Sequence, residues 1–204
     1  TEAVPKKLRW GVMSFANIAK SSFLPALLKT ENAVLEAVAG RSPEKKAGFL
    51  PFGPRKIYDN YEALLEDPEI DAVYIPLPNS LHCEWTIKAL EHKKHVLCEK
   101  PLALSYSDAK RMFDTAEENG LVLMEAFAYL HGAEMKLVEE ILASGVLGKI
   151  RHVDVRFIGT HADPADIRYK PALGGGALYD LGCYSLSFIR RVLGMEPEEV
   201  CASL

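Results

Sequence analysis

Short apolar runs and helix-like stretches alternate from Leu8 to Met124, and this alternation restricts the fold more than any other feature of the chain. Leu8–Met13 (LRWGVM), Val34–Ala39 (VLEAVA), Ala72–Ile75 (AVYI), His95–Cys98 and Leu121–Met124 read as strands. Asn17–Leu28 reads as helix-like, with Ile18, Leu24, Leu27 and Leu28 partly at helical spacing and Pro25 disturbing it. Pro43–Phe49 and Tyr61–Leu65 are shorter helical stretches. Ser80 can N-cap a helix to about Glu91, with Leu81, Trp85 and Ala89 four residues apart. Ser105-x-x-Asp108 resembles a capping box, and Gly120 stops the helix that follows. This order predicts βαβ units and a doubly wound, mostly parallel sheet. Such a sheet binds ligands outside the carboxyl ends of its strands, so the candidate residues stand just after each strand.

The pattern changes near Phe127, which marks the expected boundary between a domain over 1–126 and a second over 127–204. Glu134–Ala143 is amphipathic through Leu137, Val138, Ile141 and Leu142. Ile150–Ile158 alternates, with Val153, Val155 and Phe157 on one side, and so reads as a strand with one solvated face. A loop with Pro164 and Pro171, the triple glycine Gly174–Gly176 and a helix to about Val192 follow, and Glu198–Ala202 reads as the opening of another strand. The fold class expected is thus α/β followed by an α+β domain, with a mostly antiparallel sheet in the second part.

Composition narrows the function. A net charge of −4 over 204 residues disfavours nucleic acid and anionic membrane, both of which select a basic face. No apolar run approaches the roughly 20 residues that span a bilayer. Thr1–Lys7 contains no apolar stretch of the secretory kind. Cys83, Cys98, Cys183 and Cys201 are scattered without a C-x-x-C pair or a Cys/His cluster. That spacing points to four reduced, mostly buried thiols in a cytoplasmic protein, with no metal site.

After the first strand, Ser14-Phe15-Ala16-Asn17-Ile18-Ala19 fits the dinucleotide pattern G-x-G-x-x-A only if Ser14 and Ala16 replace glycines. Taken alone, an ordinary strand-to-helix turn is the plainer reading of this segment. After the second strand, Gly40-Arg41-Ser42 offers groups for a 2′-phosphate, and Arg41 can also lie over an adenine ring. Glu36 sits too early in the strand to hold a ribose 2′-hydroxyl. A solvated loop arginine accounts for Arg41 equally. After the third strand come Leu77-Pro78-Asn79-Ser80-Leu81-His82, and after the fourth Glu99-Lys100-Pro101, with Lys100 where a substrate would lie. His82 and His131 fit packing or helix-end roles as well as site roles. Three glycines before Asp180 and Tyr184 let backbone pass close to a ligand, and the i,i+4 spacing puts those two side chains on one helix face. A tyrosine beside an ammonium has a lowered pKa and can exchange a proton with a carbonyl/hydroxyl pair.

Taken together, Pro78-Asn79-x-x-His82, His95-Val-Leu-Cys-Glu99-Lys100-Pro101, Met124-Glu125-Ala126-Phe127 and Gly174-Gly-Gly-Ala-Leu-Tyr-Asp-Leu-Gly-Cys-Tyr184 resemble the glucose–fructose oxidoreductase/inositol dehydrogenase (Gfo/Idh/MocA) family. The resemblance runs from about Leu8 to Val200. Tyr184, where many members carry histidine, and Asp166-Ile167-Arg168 resemble the branch of D-xylose dehydrogenases and dimeric dihydrodiol dehydrogenases. Ser14 and Ala16 depart from the family's glycines.

The resemblance implies a Rossmann-type first domain and an NADP-dependent oxidoreductase, with NAD the lesser cofactor. Hydride would pass between the nicotinamide and a sugar or diol carbon. Tyr184 would exchange the hydroxyl proton, Lys100 would tune Tyr184, and Asp180 would orient substrate or Lys100. Arg168 and Tyr184 would meet the substrate. Ser14, Phe15, Ala16, Asn17, Ile18, Arg41, Ser42, Lys45, Leu77, Pro78, Asn79, His82, Glu99 and Lys100 would line the cofactor. Relatives assemble through the second-domain sheet, so a homo-oligomer is implied for a full-length protein. The chain reads as holding only the first part of that second domain. Two other readings stand beside this one: a cofactor-binding regulator without turnover, and a catalytically incomplete fragment.

Overall fold

The computed structural model describes residues 7–203, so the reading made on the first six residues lies outside them. The chain divides into two compact units. One runs to Ala126 and also takes in Ala172–Gly174, and the other holds Phe127–Pro171 and the residues from Gly175 onward.

The first unit is built on a six-stranded sheet: β1 (Leu8–Met13), β2 (Ala33–Ala39), β3 (Lys56–Tyr58), β4 (Ala72–Ile75), β5 (His95–Cys98) and β6 (Leu123–Glu125). The spatial order is β3-β2-β1-β4-β5-β6, and every pairing is parallel. This is the order of a dinucleotide-binding sheet, in which the winding direction reverses between β1 and β4. The central strands are mostly apolar because both faces are covered. Alternate residues serve opposite sides, and in β2 the phase changes at a bulge between Leu35 and Ala37. Met13, Ala37, Ala39, Val73 and Ile75 join one core with Leu64, Leu90 and Met112. Val12, Leu35, Val38 and Tyr74 join the other with Phe15, Leu24 and Phe49.

The connecting helices are α1 (Leu24–Leu27), α2 (Pro43–Lys46), α3 (Tyr61–Glu66), α4 (His82–Glu91) and α5 (Tyr106–Glu118). The Ser105 hydroxyl accepts the Asp108 N–H at 3.1 Å, as its sequence position predicts. Ser80 is not a cap. A 3₁₀ turn over Asn79–Leu81 follows Pro78 and delays the α-helix, making His82 its first residue. The Asn17–Leu28 segment is a π-helical turn, Ala19–Phe23, running into the short α1, with Pro25 tolerated in its first turn. β3 carried no sequence signal: it is three residues long, lies at the edge, pairs with β2 and is further tied by a carboxylate. Buried Asp67 accepts from Lys56 Nζ at 2.8 Å and from the Tyr58 hydroxyl at 3.0 Å.

The second unit contains α6 (Ala133–Ala143) and α7 (Cys183–Leu193). The Tyr129 hydroxyl and Ser187 Oγ are 2.8 Å apart, and Arg191 Nε donates to Glu139 at 2.6 Å. Ile150–Ile158, expected as a strand, pairs with nothing among the described residues, and neither does Glu198–Ala202. Alternation shapes an extended segment, but a ladder also needs a neighbouring strand, and this unit has none among the described residues.

Among the described residues no helix is long and apolar enough to cross a membrane. Cys98 is buried, Cys83 and Cys183 are half-buried, and Cys201 is exposed, which corrects the expectation of four mostly buried thiols.

Candidate functional site

The first group of candidate residues lies where β1 and β2 end. Ser14 follows β1 with φ of +133°, a conformation that favours glycine, and its N–H donates to Ala39 O at 2.8 Å. Phe15 is 5% exposed, and its ring packs on Phe49 at a centroid distance of 5.1 Å. A Cβ on Gly40 would come within 2.3 Å of that ring, so the turns after β1 and β2 close on each other only because Gly40 lacks a side chain. Phe15 was expected to line a cofactor. Its side chain belongs to the core, which leaves its backbone for that role. Ala16 is half-buried, whereas Asn17 and Ile18 are exposed beside it.

Past β2, Arg41 and Lys45 are exposed and Ser42 is half-buried. The Arg41 guanidinium rests on the Tyr61 ring at 5.5 Å, a cation–π contact that holds it at the end of β2. Glu36 is buried within β2 and bridges to Arg55 at 3.1 Å and Lys56 at 3.9 Å. The one acidic residue of that strand is therefore committed away from its carboxyl end, while Arg41, Ser42 and Lys45 gather there. This arrangement fits a 2′-phosphate better than a free ribose diol.

The second group lies after β4 and β5. His82 is completely buried, with Nδ1 and Nε2 each 2.8 Å from a backbone carbonyl, those of Pro101 and Leu77 respectively. Burial lowers its pKa below the ordinary histidine value, although both carbonyls oppose the shift. His82 was expected among the cofactor-binding residues. With both ring nitrogens engaged in the interior, it instead ties the loop after β4 to the loop after β5. Leu77 is buried and contributes its carbonyl to that tie.

Glu99 accepts from the Tyr74 hydroxyl at 2.5 Å and from the Lys100 N–H at 3.3 Å. The Lys100–Pro101 peptide is cis, and the Leu102 N–H donates to Glu125 Oε1 at 2.8 Å. Lys100 itself is half-buried. The loop that carries it is thus fastened by His82, Glu99 and Glu125. Tyr74 and Glu125 were missed as site residues, although Glu125 stands in one of the segments that carry the family resemblance and a carboxylate at a strand's end is a signal in itself. Asn79 Nδ2 donates to Gly174 O at 2.8 Å. Gly174 has φ of +77°, and a Cβ there would meet Leu104 at 2.6 Å and Asn79 at 2.9 Å. Pro78 is half-buried beside it in the chain.

In the second unit, Asp180 sits in a π-helical turn, Leu178–Gly182, and Tyr184 in the first turn of α7. The Cys183 N–H donates back to Leu178 O, an i to i+5 bond, so the regular α spacing expected for Asp180 and Tyr184 does not hold. The Tyr184 ring packs edge-on against Phe127 and Phe157, each at 5.3 Å. Arg168 Nε donates to Asp180 Oδ2 at 2.8 Å, and Arg168 Nη1 reaches Asp166 Oδ1 at 3.2 Å. Asp166 lies below the usual carboxylate range, chiefly because the Arg168 N–H bonds it, and secondarily because of the guanidinium, while burial opposes. His161, not singled out from the sequence, brings Nε2 to 3.7 Å from Asp180 Oδ2.

Two family models match this chain. One, described as an oxidoreductase family with an NAD-binding Rossmann fold, covers residues 8–127, and the other, a GFO/IDH/MocA C-terminal domain, covers residues 135–204. A dTDP-3,4-didehydro-2,6-dideoxy-alpha-D-glucose 3-reductase of Streptomyces violaceoruber is 42% identical over 197 residues, which is 96% of this chain and 57% of that protein. D-xylose 1-dehydrogenase (NADP(+)) 2 of Haloferax volcanii is 39% identical over 198 residues, 96% of this chain and 60% of that one. The crystal structure of KijD10, a 3-ketoreductase from Actinomadura kijaniata in complex with NADP and TDP-benzene, superposes with a TM-score of 0.82 at 38% identity, covering 92% of this chain and 58% of that one. The chain therefore spans less than two thirds of the length of these relatives.

Proposed function

The chain belongs to the GFO/IDH/MocA oxidoreductase family, and from that premise we propose that it serves an NADP-dependent oxidoreductase acting on a sugar or diol CH–OH/C=O pair. The observation that carries this reading is the loop after β5. Its lysine stands at the carboxyl edge of a parallel sheet, in a segment fastened by His82, Glu99 and Glu125. Three anchors around one lysine suit a group that must keep its position through a reaction.

NADP(H) when bound supplies or accepts the hydride. The remaining work falls to the protein. Ser14 to Ile18 would face the pyrophosphate, chiefly through the backbone N–H groups that follow Ser14, whose own N–H is taken by Ala39 O. Arg41, Ser42 and Lys45 would hold the 2′-phosphate, and Pro78 and Asn79 would border the nicotinamide end. In the direction of reduction Tyr184 gives its phenolic proton to the substrate oxygen, and in oxidation its phenolate takes that proton back. Lys100 favours the phenolate by its positive charge. The 3-ketoreductase and xylose dehydrogenase activities named for the relatives both interconvert a carbonyl and an alcohol on a sugar, which supports this substrate class.

The test has two stages. Nicotinamide fluorescence should report tighter binding of NADPH than NADH, and Arg41→Asp should narrow or reverse that preference. A panel of aldoses, diols and a keto-sugar nucleotide should then give turnover, lost by at least about 100-fold in Lys100→Ala and Tyr184→Phe. Full turnover in either variant overturns the assigned roles. NADPH binding without turnover on any panel member favours the regulator or incomplete-fragment readings.

A further inference from the structure

In the second unit the Arg168 side chain joins two carboxylates from separate elements. Asp166 belongs to the turn that opens Ile167–Tyr169, and Asp180 to the π-helical turn ahead of α7. Nε bonds Asp180 at 2.8 Å, and Nη1 lies 3.2 and 3.3 Å from the two Asp166 oxygens. The backbone joins the same circuit. The Arg168 N–H donates to Asp166 Oδ1 at 2.9 Å, Arg168 O accepts from the Gly176 N–H at 2.8 Å, and the Asp180 N–H donates to Gly176 O at 3.0 Å. Arg168, Gly176 and Asp180 thus form a closed ring of hydrogen bonds, and Asp166 holds the Arg168 end of it.

The charges agree with the geometry. The Asp180 side chain is 13% exposed, and a carboxylate so sheltered needs charge-assisted donors to stay ionised. Arg168 supplies one, and its planar fork can serve a second carboxylate at once, which an ammonium cannot do with the same fixed geometry. His161 Nε2 at 3.7 Å from Asp180 completes the group: two carboxylates, one guanidinium and one titratable imidazole.

We propose that Arg168 is a positioning residue that fixes Asp180 and the helical turn leading to Tyr184, and that it acts through these groups rather than by binding substrate. This rests on the oxidoreductase reading for its catalytic consequence, but not for its structural one. Arg168 aligns the start of the segment, the π turn and α7 follow without a break, and Tyr184 comes in the first turn of α7.

The experiment combines turnover with a spectroscopic readout. Arg168→Gln and Asp180→Asn should each lower kcat by about tenfold or more, with KM changed by less than about threefold, and the double variant should be no worse than the poorer single one. Arg168→Lys should recover part of the loss. A rise in KM for the sugar with kcat intact would overturn the proposal and make Arg168 a substrate ligand. The second readout needs no activity. With 3-fluorotyrosine incorporated, the Tyr184 resonance, assigned through Tyr184→Phe, reports the ring's place between Phe127 and Phe157. It should shift in Arg168→Gln and in Asp180→Asn alike. An unchanged resonance in Arg168→Gln overturns the proposal even if the wild-type chain turns nothing over, while a shifted resonance in an inactive chain upholds it and condemns the oxidoreductase reading alone.

Discussion

Ser14 offers the cleanest test of the turn that opens the candidate cofactor site. It follows β1 with φ of +133°, pinned there by its N–H on Ala39 O, and it occupies the position of the first glycine in the dinucleotide pattern. A residue with a Cβ held in such a sparsely populated region costs about 1–3 kcal/mol. Glycine removes that strain but loses about 0.5–1 kcal/mol more through its freer unfolded chain. Ser14→Gly should therefore stabilise the first unit by about 1 kcal/mol. With a urea dependence of about 2 kcal/mol per molar, the midpoint should rise by about 0.5 M. Trp10 on β1 and Trp85 on α4 lie in that unit and report its unfolding by fluorescence. A midpoint that stays level or falls would refute the reasoning, because it would mean that the serine side chain stabilises the turn by more than the backbone strain costs.

The sheet was legible because its strands are buried on both faces and so advertise themselves as apolar runs. Five of the six followed from that signal, whereas β3 is a three-residue edge strand with a lysine in it, too short and too polar to stand out as an apolar run. The same distinction separates the site residues. Lys100 could be placed from its position after a strand, since topology alone puts such a residue at the ligand edge. The role of His82 could not, because a histidine four residues after Pro78 reads the same whether its nitrogens face a ligand or, as here, two carbonyls in the interior. Arg168 posed a related difficulty: Asp166 is close in sequence, but Asp180 is twelve residues away, beyond the glycine loop. Ile150–Ile158 failed for the opposite reason. Its alternation is real, yet a strand is a property of two segments, and the pattern of one says nothing about its neighbour.

Two further predictions follow from buried groups in the first unit. His82→Leu removes the imidazole between the Leu77 and Pro101 carbonyls and leaves the one that its single N–H serves without a donor in the interior, so stability should fall by about 1–3 kcal/mol. Urea unfolding measures the loss, and a midpoint within error of the wild type would show that the two loops do not depend on this tie. Asp67 gives the acid limit. Burial disfavours its charge, but the Lys56 ammonium, the Glu69 N–H and the Tyr58 hydroxyl together outweigh burial and hold its carboxyl below the usual value. A carboxyl whose folded pKa lies below its unfolded one binds fewer protons when folded. Its contribution is therefore complete above the unfolded value of about 4 and drains away as pH falls through the lower folded value. Asp67→Asn should lower the urea midpoint at pH about 7 and flatten its decline below pH about 4. If the variant and the wild type lose stability with the same slope on acidification, some other carboxylate sets the acid limit, and the edge strand β3 is not held by this charge.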